Sequence, residues 1–252
     1  MITTPDTDVA SIASLGHREA MQLQRSELDR ALAQLRALEP EDWSTSTVCP
    51  GWDVRTMWLH VLGACEAGAS VRENVHQMRA ARRRASEQNL SLEAALSAIQ
   101  IEDRSELSPD ELVERLGPII PKTIGGRRRV PRPLRAIKVA VDAPVVEKWS
   151  LGYLIDVIYL RDIWMHRIDT ARATGRDLEL SADHDGRIVA NIVAEWGQRH
   201  GQPFDLVLTG PAGGVFTAGT GGESIELDAI EFCCRLAGRG EATGLLRTIV
   251  PF

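Results

Sequence analysis

Apolar positions recur at helical spacing through most of the first 175 residues, then give way to short alternating runs. Residues 17–39 set Met21, Leu28, Leu32, Leu35 and Leu38 on a 3.6-residue period with charges between them, which predicts an amphipathic first helix. Pro40 and Trp43 end it, and residues 44–52 (STSTVCPGW) read as an irregular connection of small polar residues. Asp53 suits the N-cap of a second helix, expected to run through residues 54–84 with His60 in its second turn. Residues 90–101 predict a short helix. Ser108-Pro109-Asp110-Glu111 combines a cap, a proline at the first helical position and a glutamate at the third, so another helix begins there. Gly125-Gly126 is expected to end it, and residues 126–135 (GRRRVPRPLR), with two prolines and no apolar period, read as a loop.

Ser150 caps the most regular segment, residues 151–175 (LGYLIDVIYLRDIWMHRIDTARATG), with Gly175 as its stop. About 23 residues at 1.5 Å per residue span about 35 Å. Apolar residues cover nearly its whole circumference early on, so it is expected to lie buried between other helices. Four principal helices of this kind make a bundle. Beyond Gly175, residues 183–200 predict one more helix, followed by the β-type runs FDLVLTG, VFTAG and SIELDA, a helix over AIEFCCRLAGR and a last strand over LLRTIV. The Gly-rich turns at 210–222 read as hairpin turns; no Lys-Ser/Thr follows that would make them a phosphate loop. The expected fold class is α+β, with a helical domain over residues 1–178 and a small α+β domain over residues 179–252.

Composition narrows the function classes. A hydrophobic fraction of 44% and a charged fraction of 25% are those of a globular protein, and no run reaches the roughly 18–20 apolar residues of a membrane span. Residues 1–20 lack the basic start and apolar block of a signal peptide, so a cytoplasmic location is expected. The four cysteines, Cys49, Cys65, Cys233 and Cys234, show no C-x-x-C spacing and read as buried, reduced thiols. Net charge is −6, yet residues 116–141 hold seven cations and no acid, leaving −13 for the rest. An acidic body with one basic segment, Arg127–Arg135 at its centre, argues against nucleic acid as a partner and reads as a solvated loop.

Asp162 and His166, four residues apart on the long helix, fall on one face about 5–6 Å apart at Cβ, which lets both converge on one ion. The same spacing underlies the H-E-x-x-H zinc motif. An oxygen and an imidazole nitrogen suit zinc and also iron, nickel or manganese. A third ligand must come from another helix, and His60 is the candidate, because an imidazole among Met57, Trp58, Leu59, Val61 and Leu62 needs a partner. Asp169, three residues past His166, is placed to orient a ligand imidazole, or else is a solvated charge. Without a metal, Asp162–His166 would be an ordinary helix pair and His60 a core histidine. Trp52 and Trp58 flank the helix of His60 and are expected to pack in the core rather than stack on a substrate.

The segments PEDWSTSTVCPGWDVRTMWLHV and RDIWMHRIDTARATGR, with FDLVLTGPAGGVFTAG and IELDAIEFCCRLAGR, resemble the mycothiol-dependent maleylpyruvate isomerase family over most of residues 19–252. The resemblance implies a DinB-like four-helix N-terminal domain followed by a small α+β domain. It implies a divalent metal, zinc first, on His60, Asp162 and His166, where the family's isomerase carries Glu in place of Asp162. It matches Arg239, in the last helix, to an arginine that reaches the metal cleft and holds a carboxylate or developing negative charge. The implied activity is isomerase or thiol S-transferase chemistry. Mycothiol, the thiol cosubstrate, is deprotonated at the metal and attacks an electrophilic small molecule in a monomer or weak dimer. The competing reading is a non-catalytic small-molecule or lipid-binding protein with a structural or vestigial metal site; a fourth protein ligand closing the site would favour it.

Overall fold

The structure is a computed structural model that describes residues 6–142 and 146–252. Residues 1–5, the start of the segment read for a signal peptide, lie outside the described residues. The chain forms two compact units: residues 16–177, and residues 6–15 together with 178–252. The later boundary falls between Asp177 and Leu178. Residues 6–15 nevertheless belong with the C-terminal unit, because β1 (Thr7–Asp8) pairs in parallel with a strand of its sheet. Two residues carry no periodicity, so only the pairing reveals them.

In the helical unit, α1 (His17–Arg36), α2 (Val54–Ala69), α5 (Pro109–Arg128) and α8 (Tyr159–Thr174) form a four-helix bundle, with α3 (Val71–Gln88) and α4 (Leu92–Glu102) packed as a hairpin against α2. Leu28, Leu32 and Leu35 of α1 meet Met57, Trp58 and Leu62 of α2, Leu112, Leu116 and Ile120 of α5, and Ile163 of α8 in one buried core. At about 25 cal/mol per Å2 of apolar surface removed from water, this burial is the main term holding the bundle together.

The starts of these helices follow the sequence. Asp53 accepts from Thr56 N at 2.7 Å, and Ser108 and Glu111 cap one another across the first turn of α5. The ends differ. The helix expected over 54–84 breaks at Ser70, whose φ of −139° is extended and whose hydroxyl accepts from Glu73 N at 3.3 Å to start α3. Gly125-Gly126 does not stop α5, which continues to Arg128. Gly126 is there for contact: a Cβ on it would lie 2.1 Å from the carbonyl oxygen of Gly68, so α2 and α5 cross where neither has a side chain. Pro118 and Pro121 sit on the exposed side of α5, where the carbonyls they leave unbonded can reach water.

The expected loop at 126–135 is largely ordered as the end of α5 and the short α6 (Arg132–Arg135). A hairpin not foreseen follows, β2 (Lys138–Val141) against β3 (Glu147–Ser150). Ser150 caps the long helix as expected by accepting from Tyr153 N at 3.0 Å. That helix runs as α7 (Leu151–Tyr153), a wider π turn (Leu154–Ile158) and α8, and ends at Gly175 with φ +66°.

In the second unit, α9 (Arg187–His200) leads into β4 (Phe204–Thr209), β5 (Gly214–Ala218), β6 (Glu223–Asp228) and α10 (Ala229–Leu236). Phe204, Leu206 and Leu208 alternate inward along β4, and Trp196 of α9 packs on Phe204 and on Phe232 of α10 at 4.7 and 5.2 Å. The strand order is β1-β5-β4-β6, with β4 antiparallel to β5 and parallel to β6. The turn at 210–213 is therefore a hairpin, as expected, but 219–222 is not. It crosses the end of β4, so close that a Cβ on Gly222 would lie 1.9 Å from Pro203 O. LLRTIV forms a 3-10 turn (Gly244–Arg247) rather than a strand; Leu246 and Val250 are buried as anchors instead of alternating. The fold class is α+β. Among the described residues no helix is long and apolar enough to cross a membrane.

Candidate metal centre

Two buried hydrogen bonds set α2 against α8. Trp58 Nε1 donates to Thr170 Oγ1 at 2.8 Å, and that hydroxyl donates to the carbonyl of His166 at 2.8 Å. Trp58 is fully buried in the core, as its sequence setting suggests. This contact brings His60 of α2 beside Asp162 and His166 of α8. Asp162 Oδ1 lies 3.3 Å from His166 Nε2 and 3.7 Å from His60 Nε2. The imidazoles stand edge to face, with centroids 5.7 Å apart. One ligand atom from each of the three residues lies within 4.8 Å of the others.

These separations fit a single small ion. Bonds of 2.0–2.1 Å at tetrahedral angles hold neighbouring ligand atoms about 3.3–3.4 Å apart. The aspartate therefore reaches both imidazoles despite being a methylene shorter than glutamate. His166 is buried, whereas a quarter of the Asp162 side chain remains exposed, so one side of the cluster is open. The far nitrogen of His60, Nδ1, is buried without a hydrogen bond.

Burial opposes the charge on Asp162, but the imidazoles of His166 and His60 override it and hold its pKa well below the ordinary carboxylate value. Burial likewise opposes protonation of His166. The carboxylates of Asp162 and Asp169, with Cys49, outweigh it and raise the pKa well above 6.5. Asp162 and His166 are thus a partly buried ion pair of carboxylate and imidazolium.

Asp169 completes the far side of that ring. Its Oδ2 is 3.5 Å from His166 Nδ1, and the residue is buried rather than solvated. Two further side chains belong to the cluster that sequence reasoning did not place there. Cys49, read as a buried thiol, is only half-buried and donates to Asp169 Oδ2 at 3.9 Å. Trp52 packs against the bundle core, as expected, and also sits beside the cluster, its ring centroid 5.3 Å from that of His60 and 6.4 Å from that of His166. Their shared turn, CPGW, was the available signal. The other cysteines are buried, and burial pushes the Cys65 thiol up to about 11. Arg239 belongs to the second unit. It is not in the last helix, since α10 ends at Leu236 and Gly238 turns with φ +73°; its N–H donates to Cys234 O at 2.8 Å.

The family described as the mycothiol maleylpyruvate isomerase N-terminal domain matches residues 24–171. The chain belongs to this family. The matched stretch takes in His60, Asp162, His166 and Asp169, together with Cys49 and Trp52. Among solved structures, the chain is similar to a mycothiol-dependent maleylpyruvate isomerase at 17% identity and TM-score 0.57, covering 93% of this chain and 92% of that one. A histidine-to-alanine variant of that isomerase matches with the same values. A comparison with curated proteins gives no match.

Proposed function

We propose that this protein is a cytoplasmic, mycothiol-dependent metalloenzyme, an isomerase or thiol S-transferase, acting on an electrophilic small molecule. The observation that carries the reading is the convergence of His60, Asp162 and His166 at separations suited to one ion, in a chain of the maleylpyruvate isomerase family. A divalent ion on these three residues, proposed to be zinc on the family resemblance, would supply the Lewis acidity that makes a bound thiol a thiolate at neutral pH.

The chain's own groups do the rest. Asp162 contributes the negative charge that offsets the ion, and its partial exposure leaves the cosubstrate a way in. Asp169 places a carboxylate 3.5 Å from Nδ1 of His166, on the side of the ring away from Asp162. The Trp52 indole packs beside both imidazoles, with tilted ring contacts at 5.3 and 6.4 Å. Arg239, on the family resemblance, is proposed to hold an anionic group of substrate or intermediate. With three protein ligands a fourth position is left for the thiol, which supports catalysis over a structural site.

The test is conversion of maleylpyruvate, and of other electrophilic acids, by zinc-loaded protein with and without mycothiol. Turnover that needs the thiol and is lost in His60→Ala is expected. Metal-loaded wild type that turns over none of them faster with mycothiol than without would sink the reading. Elution of the full chain as a monomer or weak dimer is expected alongside.

A further inference from the structure

We propose that Cys49, the Nδ1 side of His166 and Asp169 form a second metal site, distinct from the His60/Asp162 side and selective for thiophilic ions such as Cd2+ or Cu+. The two nitrogens of an imidazole point away from each other, and here each faces a different donor set. Nε2 meets Asp162 at 3.3 Å, while Nδ1 meets Asp169 Oδ2 at 3.5 Å. One donor atom each from Cys49, His166 and Asp169 lies within 4.8 Å of the others.

The separations again suit one ion. At zinc's bond lengths, about 2.3 Å to sulfur and about 2.1 Å to nitrogen and oxygen, tetrahedral angles require about 3.4 Å between nitrogen and oxygen and about 3.6 Å between sulfur and oxygen, and a larger ion such as Cd2+ requires slightly more. The corresponding distances are 3.5 Å and 3.9 Å. A lone thiol beside a carboxylate would mean little. What marks this as a site is the His166 Nδ1 atom, buried, without a hydrogen bond, and facing the pair.

The donor set decides the ion. A thiolate favours soft cations, whereas the first site offers only nitrogen and oxygen. Partly exposed Cys49 also provides the entry route, which buried His166 and Asp169 do not. When an ion binds, the Cys49 thiol proton and the His166 Nδ1 proton leave to the buffer. Asp169 enters as the carboxylate, and no oxidant or reductant is needed.

Cadmium titration of zinc-loaded full-length protein tests this, read by the ultraviolet absorption of a sulfur–cadmium bond and by elemental analysis. Wild type should take up one equivalent of cadmium with that absorption, and Cys49→Ser, which retains the three buried cysteines, should lose it. His60→Ala and Asp162→Asn, which impair only the first site, should keep it. No absorption in wild type, or equal absorption in Cys49→Ser, overturns the site. Loss in both His60→Ala and Asp162→Asn would make Cys49 a ligand of the first ion and overturn it as well. Zinc content, measured in the same samples, reports separately on the first site: absorption in a protein that holds no zinc upholds this inference while removing the proposed function.

Discussion

Asp162 and His166 stand one turn apart on α8 with Oδ1 and Nε2 separated by 3.3 Å, and the opposite nitrogen of the same ring faces a second carboxylate. A single imidazole thus stands between two carboxylates, so the sharpest tests act on this pair.

Protein purified without chelators, or reconstituted with zinc, should contain about one equivalent of divalent metal per chain, and His166→Ala should lose it. Asp162→Glu should retain metal, because the open side of the cluster can take one more methylene, whereas Asp162→Ala should lose most of it. Elemental analysis decides. Equal metal in wild type, His166→Ala and Asp162→Ala would show that the ligands lie elsewhere.

The pH dependence should have opposite signs with and without metal. The raised His166 pKa means its contribution to stability is complete below about pH 6.5 and is lost as pH rises through the folded-state value. The lowered Asp162 pKa means its contribution is present above about pH 3.8 and is lost as pH falls. The chelated protein should therefore lose Tm from this pair as pH goes from about 6 to about 8. Metal binding displaces the His166 proton, so the Tm gained on adding zinc should grow over the same range. Melting curves with and without chelator check both; a zinc gain that shrinks with rising pH would contradict the assignment.

Gly126→Ala should destabilise the bundle while Gly125→Ala should not. A Cβ at 126 would lie 2.1 Å from a backbone oxygen of α2, whereas one at 125 meets only Arg129 at 4.0 Å. Forced separation of the helices should cost about 1–3 kcal/mol. Replacing glycine with alanine in an open helix position is neutral or stabilising by up to about 1 kcal/mol. Denaturant unfolding of the two variants provides the comparison.

Arg239→Lys should leave metal content and Tm unchanged while turnover falls by about tenfold to a thousandfold, the range for loss of one preorganised donor. Lysine keeps the charge but not the planar fork. Steady-state kinetics of the zinc-loaded variant measure this, and full activity would leave Arg239 without a part in the reaction.

Helix starts were legible because capping is local: Asp53, Ser108 and Ser150 each bond a backbone N–H within three residues. The Asp162–His166 pair was legible for a similar reason, since four residues of helix bring them together wherever the helix lies. Helix ends misled where a glycine served another helix. Gly126 has a stop signal's composition, but its function is to let Gly68 of α2 approach. The β5–β6 connection misled likewise, since a Gly-rich turn looks the same whether its strands pair directly or straddle a third.

Sequence alone was thus sufficient for the α+β class, the main helices and the acid–histidine pair, all of which rest on periodicity or on neighbours within one turn. Tertiary packing decided the rest. That His60 faces Asp162, that Cys49 and Trp52 join the cluster, and that β1 belongs to the C-terminal sheet are contacts between residues about 100 or more positions apart, apart from Trp52 with His60. No local rule encodes such contacts, because they depend on how buried apolar faces fit together once the chain has collapsed.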